Sequence, residues 1–209
     1  RVTESILCLH TKTNLARLRQ GRLSAEEFER ISLGIGELAE APIFINDSNP
    51  LTPMLLKSRA RRLKQKHDIQ LIIVDYLQLM HLGTGRVESR QQEISTISRY
   101  LKGLARELNV PVVVLSQLNR SPEGREGHRP RMSDLRESGS IEQDADVVIL
   151  LHREDYYHRA DPDWEQNNTA ELIIAKQRNG PTGVVPLIFR EKITRFENAS
   201  RVEQEAAPF

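Results

Sequence analysis

Apolar runs of strand length alternate with amphipathic helical segments along most of this chain. That alternation limits the fold more than any other feature. Two runs, "LIIV" at 71–74 and "VPVVVL" at 110–115, are almost continuously apolar. Strands of this kind are typical of parallel sheets, in which both faces are buried. The pattern therefore predicts an α/β fold with a mainly parallel sheet and flanking helices.

Caps and apolar spacing mark the individual elements. Ser24 and Glu27 have capping-box spacing, and Thr52 followed by Pro53 marks another helix start. A short helix is predicted from Ser133 through "IEQDA", and residues 119–131 are predicted to be a mobile loop. The last strands have no helix between them, so the C-terminal end of the sheet is predicted to be antiparallel. Strands are predicted at 42–47, 70–75, 110–117, 146–151, 170–176 and 184–189.

Amino-acid composition mainly excludes certain classes of protein and site. Lys plus Arg is 30 against 29 for Asp plus Glu, so any nucleic-acid site must be a local cluster rather than a property of the whole surface. No apolar run approaches the ~20 residues of a membrane span. Cys8 is the single cysteine, which excludes an internal disulfide and a cysteine-rich zinc site. These features predict a cytoplasmic protein without a membrane partner.

Polar residues stand where the predicted strands end. Asp75 and Gln117 each close an apolar strand, and Lys176 and Arg178 follow a third. Ligands of such sheets bind beyond the carboxyl ends of the strands. An acid there suits Mg²⁺, an amide suits a γ-phosphate or a water, and cations suit a phosphoryl group in transfer. Each residue alone is equally well a turn cap, a loop amide or a surface charge, but the combination favours nucleotide chemistry.

A phosphate-binding loop is missing from this pattern. The motif G-x-x-x-x-G-K-[ST] does not occur, and no glycine is followed by lysine. The stretch "GIGELA", residues 34–39, imitates a dinucleotide fingerprint, but it lies within a helical pattern and no strand precedes it. Either the chain binds no nucleotide, or the loop lies before residue 1.

Five longer strings resemble one known family. They are "LIIVDYLQLM", "RQQEIS", "LKGLARELNVPVVVLSQLNR", "SDLRESGSIEQDAD" and "AKQRNGPTG". In order and spacing they resemble the motor domain of bacterial replicative DNA helicases of the DnaB type, over residues 4–198, with 199–209 as a C-terminal tail. The resemblance implies a RecA-like fold, ATP and Mg²⁺ as cofactors, and 5′-to-3′ DNA unwinding driven by ATP hydrolysis. It also implies that the phosphate loop and a catalytic glutamate lie upstream, so that this chain alone hydrolyses no ATP.

The resemblance assigns roles to the strand-end residues. Asp75 matches the Walker B acid that helps to hold Mg²⁺. Gln117 matches the polar residue that couples the γ-phosphate to the DNA loops. Lys176 and Arg178 match a pair that reaches the ATP site of the neighbouring subunit, with Arg178 as the arginine finger. The resemblance also implies that the full-length protein forms a hexameric ring.

The resemblance also implies a DNA-binding loop and several partners. Arg136, Glu137 and Gly139 match the loop that follows the backbone of single-stranded DNA in the central channel. Arginine can pair with phosphate, and glycine allows close approach of the backbone. The absence of aromatic residues from 129–140 argues against base stacking in this loop. Primase and a helicase loader are the further partners implied, as in a primosome.

Two other functions remain open at this stage. One is a related RecA-type recombination ATPase, which "SDLRESG" together with "KQRNGPTG" disfavours. The other is a non-catalytic remnant that only binds single-stranded DNA or helicase subunits. A phosphate-loop motif encoded shortly upstream of Arg1 would favour the enzyme over the remnant.

Overall fold

The computed structural model describes residues 2–48, 50–83, 89–135 and 139–199. In chain order its helices are α1 Val2–Thr11, α2 Leu15–Arg19, α3 Ala25–Glu40, α4 Pro53–His67, α5 Arg90–Leu108 and α6 Gly139–Asp144. Its strands are β1 Ile72–Val74, β2 Val112–Val114, β3 Val147–His152, β4 Thr169–Gln177, β5 Gly183–Arg190 and β6 Arg195–Asn198.

The chain divides into two compact units. The first comprises Arg1–Ile43, Leu151–Ile173 and Val184–Phe209. The second comprises Phe44–Leu150 and Ile174–Gly183. Asp75, Gln117, Lys176 and Arg178 all belong to the second unit. None of α1 to α6, the helices of the described residues, has the length and apolar character needed to cross a bilayer.

The core of the second unit forms where α5 packs beside the parallel pair β1 and β2. Ile72 and Val74 alternate with Ile73 and point into this core. The buried face of α5 supplies Ile94, Ile97, Leu101 and Leu104. Burying one such side chain contributes roughly 1.5–3 kcal/mol. The predicted parallel pairing is confirmed, with Ile72 opposite Val112 and Val74 opposite Val114.

The other face of this strand pair is apolar and exposed. The side chains that form it retain between 44% and 62% of their accessible surface. Its members are Leu71, Ile73, Val113 and Leu115. Parallel strands in other α/β proteins bury both faces, so the described residues of the second unit cover only half of the apolar surface that these strands carry.

The remaining strands form a second sheet with the order β3-β4-β5-β6. Strands β5 and β6 are antiparallel, and Phe189 lies opposite Phe196 with ring centroids 4.8 Å apart. The predicted antiparallel end of the fold is therefore confirmed. Strand β6 was not predicted, because "RFEN" carries little apolar character of its own.

The "GIGELA" stretch has a packing role in the first unit. It lies inside α3, as its helical spacing predicted. A Cβ on Gly34 would come within 2.4 Å of Thr11 Cγ2, so the glycine lets α3 approach the end of α1 closely. Gly34 is therefore explained by helix packing rather than by a phosphate.

Trp164 also has a structural partner in the first unit. Its indole N–H donates to Asp155 Oδ1 at 2.8 Å, and its ring stacks on that of His158 with centroids 3.8 Å apart. Asp155 is buried and also accepts from the backbone N–H of Asn168 at 2.8 Å. The carboxylate thus organises the turn that precedes β4.

Two predictions about elements were wrong. Residues 42–47 form no strand, because no neighbouring strand among the described residues supplies a hydrogen-bonding partner. The helix predicted to start at Ser133 starts at Gly139 instead. Met132–Asp134 form a separate 3-10 turn, since the side chain of Asp134 binds the loop before it. Residues 136–138 lie outside the described part of the chain.

Asp134 fixes the loop between β2 and α6. Its side chain is 2% exposed and accepts two hydrogen bonds from Arg125, at 3.0 and 3.1 Å. The backbone N–H of Arg131 donates to the same carboxylate at 2.7 Å, and Asn119 N–H donates to the carbonyl of Asp134 at 2.8 Å. The Arg125 hydrogen bonds hold the pKa of Asp134 below its ordinary value. The loop predicted at 119–131 is therefore a folded one.

We expect Asp134→Asn to destabilise the chain by about 1–3 kcal/mol, the range for hydrogen bonds to a charged group. Because the pKa of Asp134 is lower in the folded state, its contribution is present at neutral pH. It is lost as the pH falls below the unfolded value of about 3.9. Urea unfolding between pH 7 and pH 3 measures both effects. Asp47→Asn, at an exposed position, is the control. Equal unfolding midpoints for the two variants at pH 7 would contradict this account.

Candidate functional site

The parallel pairing of β1 and β2 brings Asp75 and Gln117 to one edge of the sheet. Asp75 follows β1 directly, and Gln117 comes three residues after β2. The backbone ladder continues past the strands, with Leu115 N–H donating to Val74 O and Leu77 N–H to Leu115 O, both at 2.9 Å. Both Asp75 and Gln117 are exposed. The edge therefore presents a carboxylate and a neutral amide to the same solvent space.

Gln78 supports the segment that follows β2. This residue was not identified from the sequence. Its amide N–H donates to Ser116 Oγ at 3.1 Å and to Gln117 O at 3.3 Å. Its amide oxygen accepts from Gln117 N–H, also at 3.3 Å. The side chain thus pairs with both backbone groups of Gln117, as a neighbouring strand would. Gln117 consequently has a fixed backbone while the residue itself stays exposed.

Arg90 fixes Gln78 in turn. Its guanidinium donates to Gln78 O at 2.7 Å and to Met80 O at 3.2 Å, and it forms an ion pair with Glu93. Burial alone raises the pKa of Glu93. The hydrogen bonds from Leu82 N–H and Arg90 outweigh that effect and leave the pKa below its ordinary value. A charged pair at the start of α5 therefore supports the segment that carries Gln78.

Lys176 and Arg178 lie together at the end of β4, beside the C-terminus of α6. The ammonium of Lys176 donates to Glu142 O and, at 2.8 Å, to Ala145 O. The guanidinium of Arg178 lies 3.4 Å from Gln143 O. Exposed carbonyls at a helix C-terminus attract cations in this way. The two cations therefore share one structural anchor.

Asp146 is a second residue that sequence reasoning missed. Its carbonyl accepts from Arg178 N–H at 2.8 Å, and its carboxylate lies 3.4 Å from the Arg178 guanidinium. Lys102 of α5 donates to the same carboxylate, and this hydrogen bond holds the pKa of Asp146 below its ordinary value. The sequence "DADVV" shows two acids just before β3, but it does not indicate which basic side chains pair with them.

The structure thus groups the predicted nucleotide residues into two pairs. Asp75 and Gln117 follow the carboxyl ends of the paired strands β1 and β2, and Lys176 and Arg178 lie beside the C-terminus of α6. No hydrogen bond or ion pair joins the two pairs within the described residues. Asp75 offers a carboxylate oxygen, the type of ligand that Mg²⁺ prefers.

Of the three predicted DNA-binding residues, the structure describes Gly139. It begins α6, is exposed, and a Cβ built there would meet no atom within 4 Å. Ser140 beside it is linked to Ser95 of α5 by a hydroxyl–hydroxyl contact of 2.8 Å. Nothing inside the described chain therefore requires glycine at 139. Arg136 and Glu137 lie outside the described residues.

Comparison with known proteins gives a consistent result. The family described as DnaB-like helicase C terminal domain matches residues 1–198. The replicative DNA helicase DnaB of Mycobacterium leprae is 51% identical over 196 residues, which is 94% of this chain and 32% of that protein. The protein of the same name from Geobacillus stearothermophilus is 49% identical over 202 residues, or 96% of this chain and 44% of that protein.

Two solved structures share the fold. One, an isolated ATPase domain, superimposes with a TM-score of 0.85 at 39% identity, covering 93% of this chain and 68% of that one. A DnaB-like replicative helicase, solved in a study of its interactions with primase, gives a TM-score of 0.86 at 39% identity, covering 93% of this chain and 46% of that one. The chain spans less than half the length of the two curated relatives. Family match, identity and fold agree, and the chain belongs to the family of DnaB-like helicase C-terminal domains.

Proposed function

We propose that this chain works as part of the ATP-hydrolysing motor of a replicative DNA helicase. That motor couples hydrolysis to 5′-to-3′ movement along single-stranded DNA. The observation that carries the proposal is that Asp75 and Gln117 both follow the carboxyl ends of the paired parallel strands β1 and β2, in a chain of this family. An acid and an amide on neighbouring parallel strands suit a phosphate chain with its Mg²⁺ better than they suit any apolar ligand.

Asp75 and Gln117 have separate roles in this proposal. The Asp75 carboxylate would hold Mg²⁺, which neutralises charge on the phosphates of ATP. Gln117 would contact the γ-phosphate through its side-chain amide, and Gln78 would hold the backbone from which that side chain extends. Gln117 leads directly into the loop fixed by Asp134. Loss of the γ-phosphate on hydrolysis could therefore move the DNA-binding segment through this loop.

Lys176 and Arg178 would act on the ATP of an adjacent subunit in a hexameric ring. Two observations support an action in trans. The pair makes no contact with Asp75 or Gln117 in the described structure, and about half of the Arg178 side chain is exposed. Arginine suits this role because its planar fork can contact two phosphate oxygens at once.

We propose that the nucleotide site is completed by polypeptide outside these 209 residues. The chain contains no G-x-x-x-x-G-K-[ST] motif, and it covers 68% of the matched ATPase domain. The exposed face formed by Leu71, Ile73, Val113 and Leu115 offers an apolar surface against which such a segment can pack. The isolated chain would then hydrolyse no ATP. The missing motif equally favours the second candidate, a non-catalytic protein that binds DNA or helicase subunits.

The DNA partner would be single-stranded and read without regard to sequence. Arg136 would pair with phosphate, Gly139 would admit the DNA backbone, and Glu137 would orient a neighbouring group. Contacts of this kind position a protein on the backbone but carry no base information. Primase and a helicase loader are the further partners we propose, in the cytoplasm where chromosomes are copied.

Arg178→Ala, made in the full-length helicase ring, should leave ATP binding intact and slow hydrolysis by on the order of 10³-fold, as loss of an arginine finger does. Equilibrium binding of a fluorescent ATP analogue and steady-state turnover measure the two quantities. Arg190→Ala is a matched control, because that exposed arginine pairs only with Glu197 in the described structure. Loss of nucleotide binding in Arg178→Ala would contradict the assignment of Arg178 as an arginine finger.

Gln78→Met keeps side-chain length but removes both amide hydrogen-bonding groups. We expect basal ATPase of the full-length ring to change little. Stimulation by DNA should fall by on the order of tenfold, the effect of losing hydrogen bonds worth about 1 kcal/mol each. Gln70→Met is the control, since Gln70 bonds only to Asp68 in the described structure. Normal DNA stimulation in Gln78→Met would show that Gln117 needs no such support.

Arg136→Ala and Gly139→Val test the DNA loop by two routes. Removing one phosphate contact should flatten the slope of log affinity against log salt by roughly 0.7 on single strands, for every base composition. Gly139→Val should weaken DNA binding with little change in melting temperature, because a Cβ at this position meets no atom of the described residues within 4 Å. Gly36→Val, at another open helix position, is the control. A salt slope that Arg136→Ala leaves unchanged would end the assignment of this loop to DNA.

A further inference from the structure

We propose that Asp146 is a positioning residue for Arg178. Its carboxylate holds one edge of the guanidinium beside α6, so that the other N–H donors point outward to the phosphates of the adjacent subunit's ATP. The inference rests on the proposed function, in which Arg178 acts across a subunit boundary. Asp146 itself touches no substrate in this account and acts only through Arg178.

Asp146 contacts both the backbone and the side chain of Arg178. Its carbonyl accepts the Arg178 backbone N–H at 2.8 Å, which fixes where the side chain leaves the main chain. Its Oδ1 lies 3.4 Å from one terminal guanidinium nitrogen, while the other terminal nitrogen lies 3.4 Å from Gln143 O. A guanidinium has five N–H donors, so these two contacts leave most of them available. Arg178 can therefore keep both contacts while it binds a phosphate.

Lys102 keeps the Asp146 carboxylate in place. Its ammonium donates to Oδ2, which leaves Oδ1 toward Arg178. Lys102 comes from α5, a helix of 19 residues packed into the core of the second unit. The orientation of Arg178 is thereby fixed by a side chain from a long helix rather than by one from a turn. The hydrogen bond from Lys102, with the nearby charges of Lys102, Arg178 and Arg106, lowers the pKa of Asp146 and keeps it ionised.

Stability does not explain this arrangement. The side chains of Arg178 and Asp146 are 49% and 55% exposed, and exposed ion pairs of that kind stabilise a fold very little. Orientation explains it better. A free arginine side chain has considerable rotamer entropy, part of which must be lost each time it binds a phosphate. Restricting the side chain beforehand reduces that loss and so raises the rate of the catalysed step.

The test compares Asp146→Asn with wild type in the full-length ring. Asparagine keeps the size and the backbone contact but removes the charge. We expect kcat for ATP hydrolysis to fall roughly 3- to 10-fold, within the range that lost side-chain order allows. KM for ATP and the melting temperature should stay close to wild type. Asp146→Glu should recover part of the rate, and Lys102→Met should lower it less than Asp146→Asn does.

A double-mutant cycle with Arg178→Ala separates positioning from any independent role. If Asp146 acts through Arg178, Asp146→Asn should slow wild type but add nothing to Arg178→Ala. Asp68→Asn is the matched control, because Asp68 is an exposed carboxylate that also pairs with a lysine, Lys64, in the same unit. That variant should behave as wild type in both backgrounds.

The contradicting outcomes are distinct from one another. An Asp146→Asn rate equal to or above wild type, or an added loss in the Arg178→Ala background, overturns the inference while the finger assignment stands. A melting temperature lowered in parallel with the rate in both Asp146→Asn and Asp146→Glu assigns Asp146 to the fold and also overturns it. If Arg178→Ala itself leaves turnover unchanged, the proposed function of Arg178 fails, and the inference fails with it.

Discussion

The parallel register of β1 against β2 is the constraint on which the candidate site depends. Val74 opposite Val114 sets the ladder that continues to Leu115, and in this register Gln78 reaches both backbone groups of Gln117. A shift of one residue would turn Ile72 and Val74 out of the core and Ile73 into it. The buried side chains of α5 therefore select the register, and the register brings Asp75 and Gln117 to the same edge of the sheet. Core packing and site geometry follow from the same pairing.

The short helix α6 connects the two other parts of the proposed mechanism. Its N-terminus is Gly139, which we assign to the DNA side, and its C-terminal carbonyls bind Lys176 and lie beside Arg178. Ser140 and Asp146, at either end, are tied to α5 through Ser95 and Lys102. The helix would thus be a compact physical link between the proposed DNA contact and the cations that we propose act on a neighbour's ATP.

The sequence predicted the elements that depend on local pattern. Continuous apolar runs identified β1 and β2, and the absence of a helix after β4 identified the antiparallel end. The polar residues at strand ends were found because the carboxyl ends of parallel strands are where ligands bind. Gln78 and Asp146 escaped prediction, since their partners lie 39 and 44 positions away in the chain and no local pattern marks such pairs. The prediction of a strand at 42–47 was wrong, because apolar character alone does not supply a neighbouring strand to pair with.

The central claim is that each ATP site uses Asp75 from one subunit and Arg178 from the next. Mixing full-length Asp75→Asn subunits with full-length Arg178→Ala subunits tests it directly, because each variant keeps the half-site that the other lacks. The account predicts that either variant alone forms nearly inactive rings. It also predicts that mixed rings regain ATPase activity wherever an Arg178→Ala subunit holds the nucleotide and an Asp75→Asn subunit supplies the arginine. Mixed rings whose turnover stays at the level of the separate variants would contradict the account.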